Sequence, residues 1–316
     1  MRFNLLQYFF LFITVSIIAF TVTPIFRSIA RKFKVLDYPG GRKLQAQPVA
    51  YLGGLAVITP ITIASFLVLF TSLSLNLKQQ LYLGLIVPSL VIALIGLLDD
   101  IYHLPPWLRF LSQTGVGSFT SILLYSSGSG VKIFDNPLLN VSATIFWVVT
   151  IINALNFIDN MDGLATTISI VSSFTLFILA YLNNQYLVAA LSLSIFASCI
   201  GFLFWNKKPA TIYLGDAGAL YLGFLLAAIS IRIDLNNEFA INRVLILFLA
   251  LAVPVIDITQ VVISRLLKSK SPFQGGRDHI SHLLFDRGYS HGKVLTILTS
   301  VSILFSSIAI FLAEVI

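Results

Sequence analysis

The chain has 316 residues, of which 57% are hydrophobic and only 10% are charged. Soluble domains carry about 25% charged residues, so this composition excludes a soluble globular protein and indicates an integral membrane protein with several spans. The net charge is +7, but in a membrane protein the location of the charges matters more than their sum. We expect no nucleic-acid partner. The single cysteine, Cys199, excludes an internal disulfide.

Apolar runs long enough to cross a bilayer recur along the whole chain. A spanning helix needs about 20 mostly apolar residues, and the first run is too long for the core of a signal peptide. We therefore predict an all-α polytopic membrane protein with one transmembrane domain over residues 1–316. The predicted spans, in chain order, are roughly 4–24, 52–71, 80–98, 108–125, 141–158, 164–182, 185–204, 215–232, 242–263 and 293–314.

The basic residues predict which side each loop occupies. Fifteen of the 20 Lys and Arg residues lie in alternate connections, including the long loops 25–51 and 264–292, and basic loops favour the cytoplasm. With ten spans, both termini then face the periplasm or the exterior. The same assignment gathers most acids and every histidine on the cytoplasmic face, as expected for one site built from several loops. This set is Asp99, Asp100, His103, Asp159, Asp162, Asp216, Asp278, His279, His282 and His291.

The first cytoplasmic loop reads DYPGGRKLQAQPVAYLGGLAV, residues 37–57. Arg42 and Lys43 suit a phosphate contact, although a positive-inside topology signal explains them equally well. Gly53 and Gly54 favour close helix packing at the start of the second span.

Three acidic motifs follow at helix ends: GLLDDIYHL with Asp99 and Asp100, NALNFIDNMDGLA at 153–165, and IYLGDAGALYLG around Asp216. Asn156, Asp159 and Asp162 are spaced by three residues and share one face of a helical turn. Mg²⁺ typically binds one or two carboxylates plus substrate phosphates, so these oxygen ligands predict a site for a hard divalent cation. Single acids at helix ends are often only caps, but polar groups at membrane depth are costly and tend to be functional.

The last two motifs lie in and after the ninth span. Asp257, in VPVIDITQVVISR, should face the bundle interior and either anchor a loop or take part in chemistry, with a kink beside Pro254. The loop SPFQGGRDHISHLLFDRGYSHG offers Arg277, His279 and His282 to a phosphate. A transition metal on the two histidines is the alternative, which nearby acids disfavour. We expect three neighbouring cations to contact anionic lipid headgroups: Arg265, Lys268 and Lys270.

From about residue 37 to 292 the chain resembles the polyprenyl-phosphate N-acetylhexosamine-1-phosphate transferases. These include the enzymes that start O-antigen, enterobacterial common antigen and teichoic-acid linkage synthesis, and the phospho-MurNAc-pentapeptide transferase. NALNFIDNMDGLA is a highly specific match, and the DD pair and LGDAGAL stand in the family's order. GRDHISHLLFDRGYS is similar to the His motif of the N-acetylglucosamine branch rather than to the three consecutive histidines of the peptidoglycan branch.

The resemblance implies a multi-pass enzyme of the inner (plasma) membrane that uses Mg²⁺, or Mn²⁺ in its place. An undecaprenyl or other polyprenyl phosphate attacks the β-phosphorus of a UDP-N-acetylhexosamine, releasing UMP. Membrane lipids are the remaining partners, and a homodimer stays open. Whether the transfer is direct or passes through an aspartyl phosphate also stays open.

Site roles are implied residue by residue. Asp216 resembles the metal-binding acid, with Asp99 as a second ligand or as the base on the lipid phosphate and Asp100 as its partner; Asp159 joins them in catalysis. The remaining matches resemble substrate contacts, with Tyr213 at the place of an aromatic that stacks on uracil and Gln113 following the basic residue of its helix. These contacts are Asn156, Asp162, Asn206, Tyr213, Arg277, His279, His282, Arg109, Arg42 and Lys43.

The chain departs from the family pattern in the first loop and after the GDAG motif. Gln45 stands where the family often has His, Ala50 and Tyr51 replace Pro-Arg, and Ala219 replaces a Ser. These changes bear on the identity of the sugar and on contacts with the lipid phosphate. A secondary transporter is the rival from another class, but its site should lie near the midplane of the bilayer rather than at one surface.

Overall fold

The computed structural model describes residues 3–39, 47–67, 82–126, 128, 130–235, 240–271 and 276–315. This part of the chain forms helices and one small sheet, joined by turns and loops, and we number its helices α1 to α12. They are Leu5–Lys32 (α1), Gly53–Leu67 (α2), Val87–Tyr102 (α3), Pro106–Ser126 (α4), Pro137–Ile158 (α5), Leu164–Leu182 (α6), Tyr186–Asn206 (α7), Gly215–Arg232 (α8), Ala240–Ala250 (α9), Ala252–Leu267 (α10), Ile280–Asp286 (α11) and His291–Val315 (α12), with a π-helical turn at Tyr82–Ile86 before α3.

The all-α polytopic prediction is confirmed. In the described residues, seven helices are long and apolar enough to cross a bilayer, and the bent pair α9–α10 makes an eighth when counted as one span. Helix α2 is apolar but short, and α4, which coincides with the least apolar predicted span, does not meet that criterion. Helices therefore lie at all ten predicted positions, while spanning length and composition support seven or eight of them.

Helix α8 is the central helix of the bundle, and it is surrounded on all sides. All of its residues except Asp216 and Arg232 are buried, so no polar stripe is needed along its length. Small residues let its neighbours come close. A Cβ on Gly96 of α3 would lie 2.5 Å from the Asp216 carbonyl oxygen, and one on Gly54 of α2 would lie 2.3 Å from the Gly218 nitrogen. The predicted packing role of the Gly53–Gly54 pair is thus confirmed.

A two-stranded sheet ties the first loop to the segment before α8. Strands Leu36–Asp37 (β1) and Val49–Ala50 (β2) pair antiparallel, with Leu36 opposite Ala50. Ala50 also bridges in parallel to Ile212, and the Tyr213 backbone N–H donates to the Ala50 carbonyl at 2.8 Å. This sheet fixes the entry into α8 against α2.

The ninth predicted span is broken rather than kinked at Pro254. Helices α9 and α10 meet at Leu251 with a bend of 87°. Pro254 lies in the first turn of α10, where helix N–H groups have no carbonyl partner within the helix and proline is therefore tolerated. Proline favours a new helix start at this place, so the change of direction falls three residues earlier than expected.

We predict that Gly96→Ala destabilises the bundle by about 1–3 kcal/mol, because the added methyl group must push α3 away from the backbone of α8. Thermal unfolding in detergent measures the effect. Gly115→Ala is the matched control, since Gly115 is also a helical glycine and a Cβ there meets nothing within 4 Å. Equal melting temperatures for the two variants would contradict the proposed close packing.

Candidate functional site

Side chains from three helices meet at Asp216, in the first turn of α8. The Asn156 amide donates to Asp216 Oδ1 at 2.6 Å. Arg109 Nη1 donates to Asp216 Oδ2 at 3.2 Å and to Asp99 Oδ2 at 2.6 Å. Helices α3, α4, α5 and α8 thus converge on this point, as the sequence predicted for acids that are far apart in the chain.

Asp100 binds the N-terminus of α8. Its two carboxylate oxygens accept the backbone N–H groups of Asp216 and Ala217, at 2.8 and 3.1 Å. These are helix-terminal donors with no partner inside α8, and a negative charge is favourable there. Gly215 makes the contact feasible, because its φ of +71° and a Cβ position only 2.8 Å from Asp100 Oδ2 both disfavour a side chain.

Asp99 and Asp216 fit a divalent cation that arrives with phosphate ligands. In the part of the chain that the structure describes, no three His, Cys, Asp or Glu residues gather into a complete metal site. Mg²⁺ needs only one or two carboxylates beside substrate phosphates. The two acids already share one cationic atom, Arg109 Nη1, so their oxygens are close enough to share an ion.

The turn after α5 carries the other two acids. Burial, and then the charges of Asp216 and Asp162, raise the pKa of Asp159 to about 7. Asp162 accepts the Ala210 backbone N–H at 3.1 Å, and the Asn160 amide oxygen accepts the Ser281 hydroxyl at 2.6 Å. The five acids, Asp99, Asp100, Asp159, Asp162 and Asp216, are hereafter called the acid cluster.

Asn206 and Tyr213 occupy different environments beside this cluster. Asn206 is buried, and its amide oxygen and nitrogen bind Thr166 and the Ile212 carbonyl at 2.7 and 3.1 Å. It therefore braces the 207–214 segment, and its nucleotide contact stays a prediction. Tyr213 is half-buried, and its ring centroid lies 6.0 Å from that of Tyr51. Burial and the charge of Asp162 raise the Tyr213 pKa to about 12.

Asp257 anchors the loop that carries the candidate histidines. Its Oδ2 lies 2.8 Å from His279 Nδ1, and its Oδ1 accepts the Ile280 backbone N–H at 2.8 Å. The anchoring role left open by the sequence is therefore confirmed. His279 packs edge-on against Phe157, and its ring centroid lies 5.9 Å from that of His282. Burial and the charge of His279 lower the pKa of His282.

Arg277 lies at the exposed rim of the same loop. Its guanidinium binds Asp286 at 3.0 Å, and both side chains are more than half exposed. Exposed pairs of this kind contribute little to stability, so Arg277 can exchange partners at low cost. Arg42 and Lys43 lie outside the described residues.

The expectation that Arg265 contacts lipid headgroups is wrong. Arg265 is only 3% exposed, its Nε binds Asp278 Oδ2 at 3.3 Å, and its guanidinium lies 5.5 Å from the centre of the Phe157 ring. Lys268 also binds Asp278, at 2.8 Å. Chiefly through this Lys268 bond, the pKa of Asp278 falls to about 2. The sequence could not show that the 276–279 loop folds back onto α10.

Two contacts were missed by sequence reasoning. Gln113, one turn after Arg109, accepts the Asn153 amide at 2.7 Å and thereby ties α4 to α5. His291 lies beside the backbone of Asp162 and the charge of Lys208. The helical spacing of Arg109 and Gln113 could have indicated the first contact, whereas nothing in the sequence indicates the second.

An apolar cavity of about 450 Å³ opens between α4, α5 and α10. Its inner end reaches Asn153 and Phe157, which lie within one turn of Asn156 on α5. Apolar side chains dominate the rest of its wall, among them Phe110, Ile145, Phe146, Val149, Ile258 and Val262. The acid cluster therefore has an apolar compartment beside it, whose wall includes the exposed side chains of Phe110 and Phe146.

The fold and site define a polytopic membrane protein in which acids, an arginine and a helix N-terminus gather at one end of the helices. The family description "glycosyl transferase family 4" matches residues 82–234. A Bacillus subtilis (strain 168) protein named "Probable undecaprenyl-phosphate N-acetylglucosaminyl 1-phosphate transferase" is 31% identical over 310 residues, covering 95% of this chain and 84% of that protein. The chain belongs to glycosyl transferase family 4.

Two further relatives carry related names. The Escherichia coli K12 protein "Undecaprenyl-phosphate alpha-N-acetylglucosaminyl 1-phosphate transferase" is 28% identical, covering 95% of this chain and 83% of its own length. The Mycobacterium leprae "Decaprenyl-phosphate N-acetylglucosaminephosphotransferase" is 27% identical, covering 90% and 79%. The likeness extends over nearly the whole chain in each case.

We predict that Asp257→Ala releases α11 and the loop before it, because a buried imidazole and a backbone N–H lose their acceptor at about 1–3 kcal/mol for each unmatched group. Hydrogen exchange over residues 276–290 should accelerate. The control is Asp234→Ala, which removes an exposed acid that binds Arg243. Unchanged protection of α11 in Asp257→Ala would argue against the anchoring role.

Proposed function

We propose that this protein transfers N-acetylglucosamine 1-phosphate from its UDP-sugar to a polyprenyl phosphate, undecaprenyl phosphate in the first instance. The products are UMP and a lipid-linked sugar pyrophosphate, the first membrane intermediate of a cell-envelope polysaccharide. We place the enzyme in the inner (plasma) membrane, with ten spans, both termini outside and the acid cluster facing the cytoplasm. The names of the relatives support the reaction, and the distribution of basic residues supports the orientation.

One observation carries the proposal: side chains of α3, α4 and α5 all meet at the N-terminal turn of α8, through Asp100, Arg109 and Asn156. Phosphoryl transfer depends mainly on positioning and on neutralising charge at the transferring group. A site with fixed acids, a guanidinium and a helix N-terminus supplies both. A helix bundle with only a structural role would not need acids, a guanidinium and a helix N-terminus gathered at one end.

The chemistry balances without a proton transfer. An oxygen of the acceptor phosphate forms a bond to the β-phosphorus of the UDP-sugar, and the bond from that phosphorus to the oxygen of UMP breaks. A phosphate monoester is largely ionised near pH 7, so it needs orientation more than deprotonation. Asp99 suits an orienting role, because it is buried and its two oxygens hold the Leu104 N–H and Arg109.

The remaining residues bind the nucleotide and the cation. A divalent ion, Mg²⁺ or Mn²⁺, held by Asp216 and Asp99 would neutralise the diphosphate. Asn156 fixes the Asp216 carboxylate. Tyr213, which is half-buried, would stack on uracil, and Asp159, Asp162 and Asn206 would shape the same pocket. Arg277 provides a cation, and His279 and His282 provide hydrogen-bond donors, for the pyrophosphate and the sugar, since Asp257 fixes the start of α11.

Two alternatives are outcomes of the same assay. Phospho-MurNAc-pentapeptide transfer would appear as preference for that UDP-substrate, and the His motif disfavours it. A secondary transporter would show solute flux in liposomes. Its site should lie near mid-bilayer, whereas Asp99, Asp100, Asp159 and Asp216 all lie at helix ends.

We predict that purified protein with undecaprenyl phosphate and Mg²⁺ releases UMP from UDP-N-acetylglucosamine in preference to other UDP-sugars. Asp216→Asn should lower turnover about a hundredfold or more, since charge stabilisation at the transferring phosphate is lost, while the protein still elutes as a folded species. Light scattering of the same preparation tests for a homodimer. Solute flux without UMP release would reject the proposal.

We further predict that Ile145→Trp raises KM for the polyprenyl phosphate several-fold with little change in KM for the UDP-sugar, because the larger ring fills the apolar cavity meant for the lipid chain. Leu139→Trp is the control, since Leu139 is an exposed apolar residue on the same helix that is not among the residues lining the cavity. Parallel changes in both KM values would speak against a lipid-binding cavity.

A further inference from the structure

One atom of Arg109 holds two acids that come from different helices. Nη1 lies 2.6 Å from Asp99 Oδ2 and 3.2 Å from Asp216 Oδ2. The Asp99 side chain is 5% exposed, and those of Arg109 and Asp216 are about a third exposed. This guanidinium therefore lies at the mouth of the site, between the two carboxylates that suit a divalent ion.

The other oxygen of each acid is already engaged. Asp99 Oδ1 accepts the Leu104 backbone N–H at 2.7 Å, and Asp216 Oδ1 accepts the Asn156 amide at 2.6 Å. The oxygens that face each other are thus the two that Arg109 binds. A cation that bridges Asp99 and Asp216 through the oxygens bound by Arg109 takes the place of that guanidinium.

A guanidinium and a divalent ion repel each other strongly when they share a partly desolvated site. Arg109 and the metal therefore compete for the same two carboxylate oxygens. We propose that Arg109 is an internal counter-cation that holds the Asp99–Asp216 pair in the metal-free protein and leaves it when the divalent ion binds. This inference rests on the proposed function, whose cation site it concerns.

The released guanidinium has a destination close by. Phe110, the next residue on α4, and Thr114, one turn later, line the apolar cavity. Arginine binds phosphate oxygens through parallel hydrogen bonds, so Arg109 can turn from the acids to the phosphate at the head of a lipid chain in that cavity. Binding of the metal–diphosphate complex then favours binding of the acceptor phosphate, and by linkage the reverse holds too.

The simpler alternative is a permanent ion pair that ties α4 to α3 and α8. Such a pair stays in place when the metal binds, and removing one partner would leave buried charge uncompensated. The two cases predict different changes in metal affinity when Arg109 is removed. Loss of Arg109 strengthens metal binding if the guanidinium competes with the ion, and weakens or leaves it unchanged if the guanidinium only positions the acids.

The test is a Mn²⁺ titration followed by EPR, with purified protein in detergent and with neither nucleotide nor lipid present. Arg109→Gln should bind Mn²⁺ on the order of tenfold more tightly than the wild type. The gain should vanish in Arg109→Gln combined with Asp216→Asn, which shows that the ion sits at this site. Arg27→Gln is the control for loss of one positive charge, because the Arg27 guanidinium stacks on the Trp205 ring instead of binding Asp99 or Asp216. Equal or weaker Mn²⁺ binding by Arg109→Gln would overturn the inference.

Two further measurements do not depend on how well Arg109→Gln folds. Arg109→Lys retains the charge and should keep Mn²⁺ affinity near the wild-type value; affinity as high as that expected for the Gln variant contradicts the competition. In the wild type, farnesyl phosphate should tighten Mn²⁺ binding several-fold beyond its effect on Asp216→Asn, because it attracts Arg109 away from the acids. The absence of this excess would count against the inference.

Failure of this inference and failure of the proposed function are distinguishable. The Mn²⁺ titration contains no sugar nucleotide and needs no turnover. If the wild type transfers the sugar phosphate but Arg109→Gln gains no Mn²⁺ affinity, only the role of Arg109 is wrong. If the wild type releases no UMP, the proposed function is wrong whatever the titration shows.

Discussion

The contact between the Asp100 carboxylate and the first backbone N–H groups of α8 is the interaction on which the site depends. It places the N-terminus of the most enclosed helix directly against the last turn of α3. Because the Asp216 backbone N–H is one of the two donors, this contact holds the start of α8 beside Asp99, the neighbour of Asp100. Gly96 and Gly215 have no side chain at the points where a Cβ would separate these helices.

Charge balance explains why so many acids can lie together at the edge of an apolar bundle. Asp100 faces helix-terminal N–H groups, and Asp99 and Asp216 share a guanidinium, so each of these carboxylates has a positive partner. Burial, and then the charges of Asp216 and Asp162, raise the pKa of Asp159 to about 7. The cluster therefore favours an incoming cation more than a further anion.

The sequence predicted the positions of the helices better than the contacts between their side chains. Runs of apolar residues predicted a helix at each of ten positions, because the spanning length of a helix is set by the bilayer. The break at Leu251 was predicted in the wrong place, since Pro254 marks a helix start as well as a kink. Asp100 and Asn206 illustrate a deeper limit. A motif gives the residue type, but only the fold shows that Asp100 caps α8 and that Asn206 braces a loop. The prediction that Arg265 contacts lipid headgroups was wrong for the same reason, because its partner Asp278 lies in a loop that folds back onto α10.

The position of the apolar cavity connects these features to the proposed reaction. A lipid chain and a charged diphosphate require opposite surroundings, and a single pocket cannot supply both without burying uncompensated charge. Here α5 lines the cavity with Ile145 and Val149 and then ends in Asn156 and the acidic turn. The bend at Leu251 directs α10 along the same cavity, and Asp257 on α10 fixes the histidine loop beside the acids. The same two helices thus line the apolar compartment and position the polar one. In the proposed reaction, a lipid chain packed in the cavity would carry its phosphate to the acid cluster.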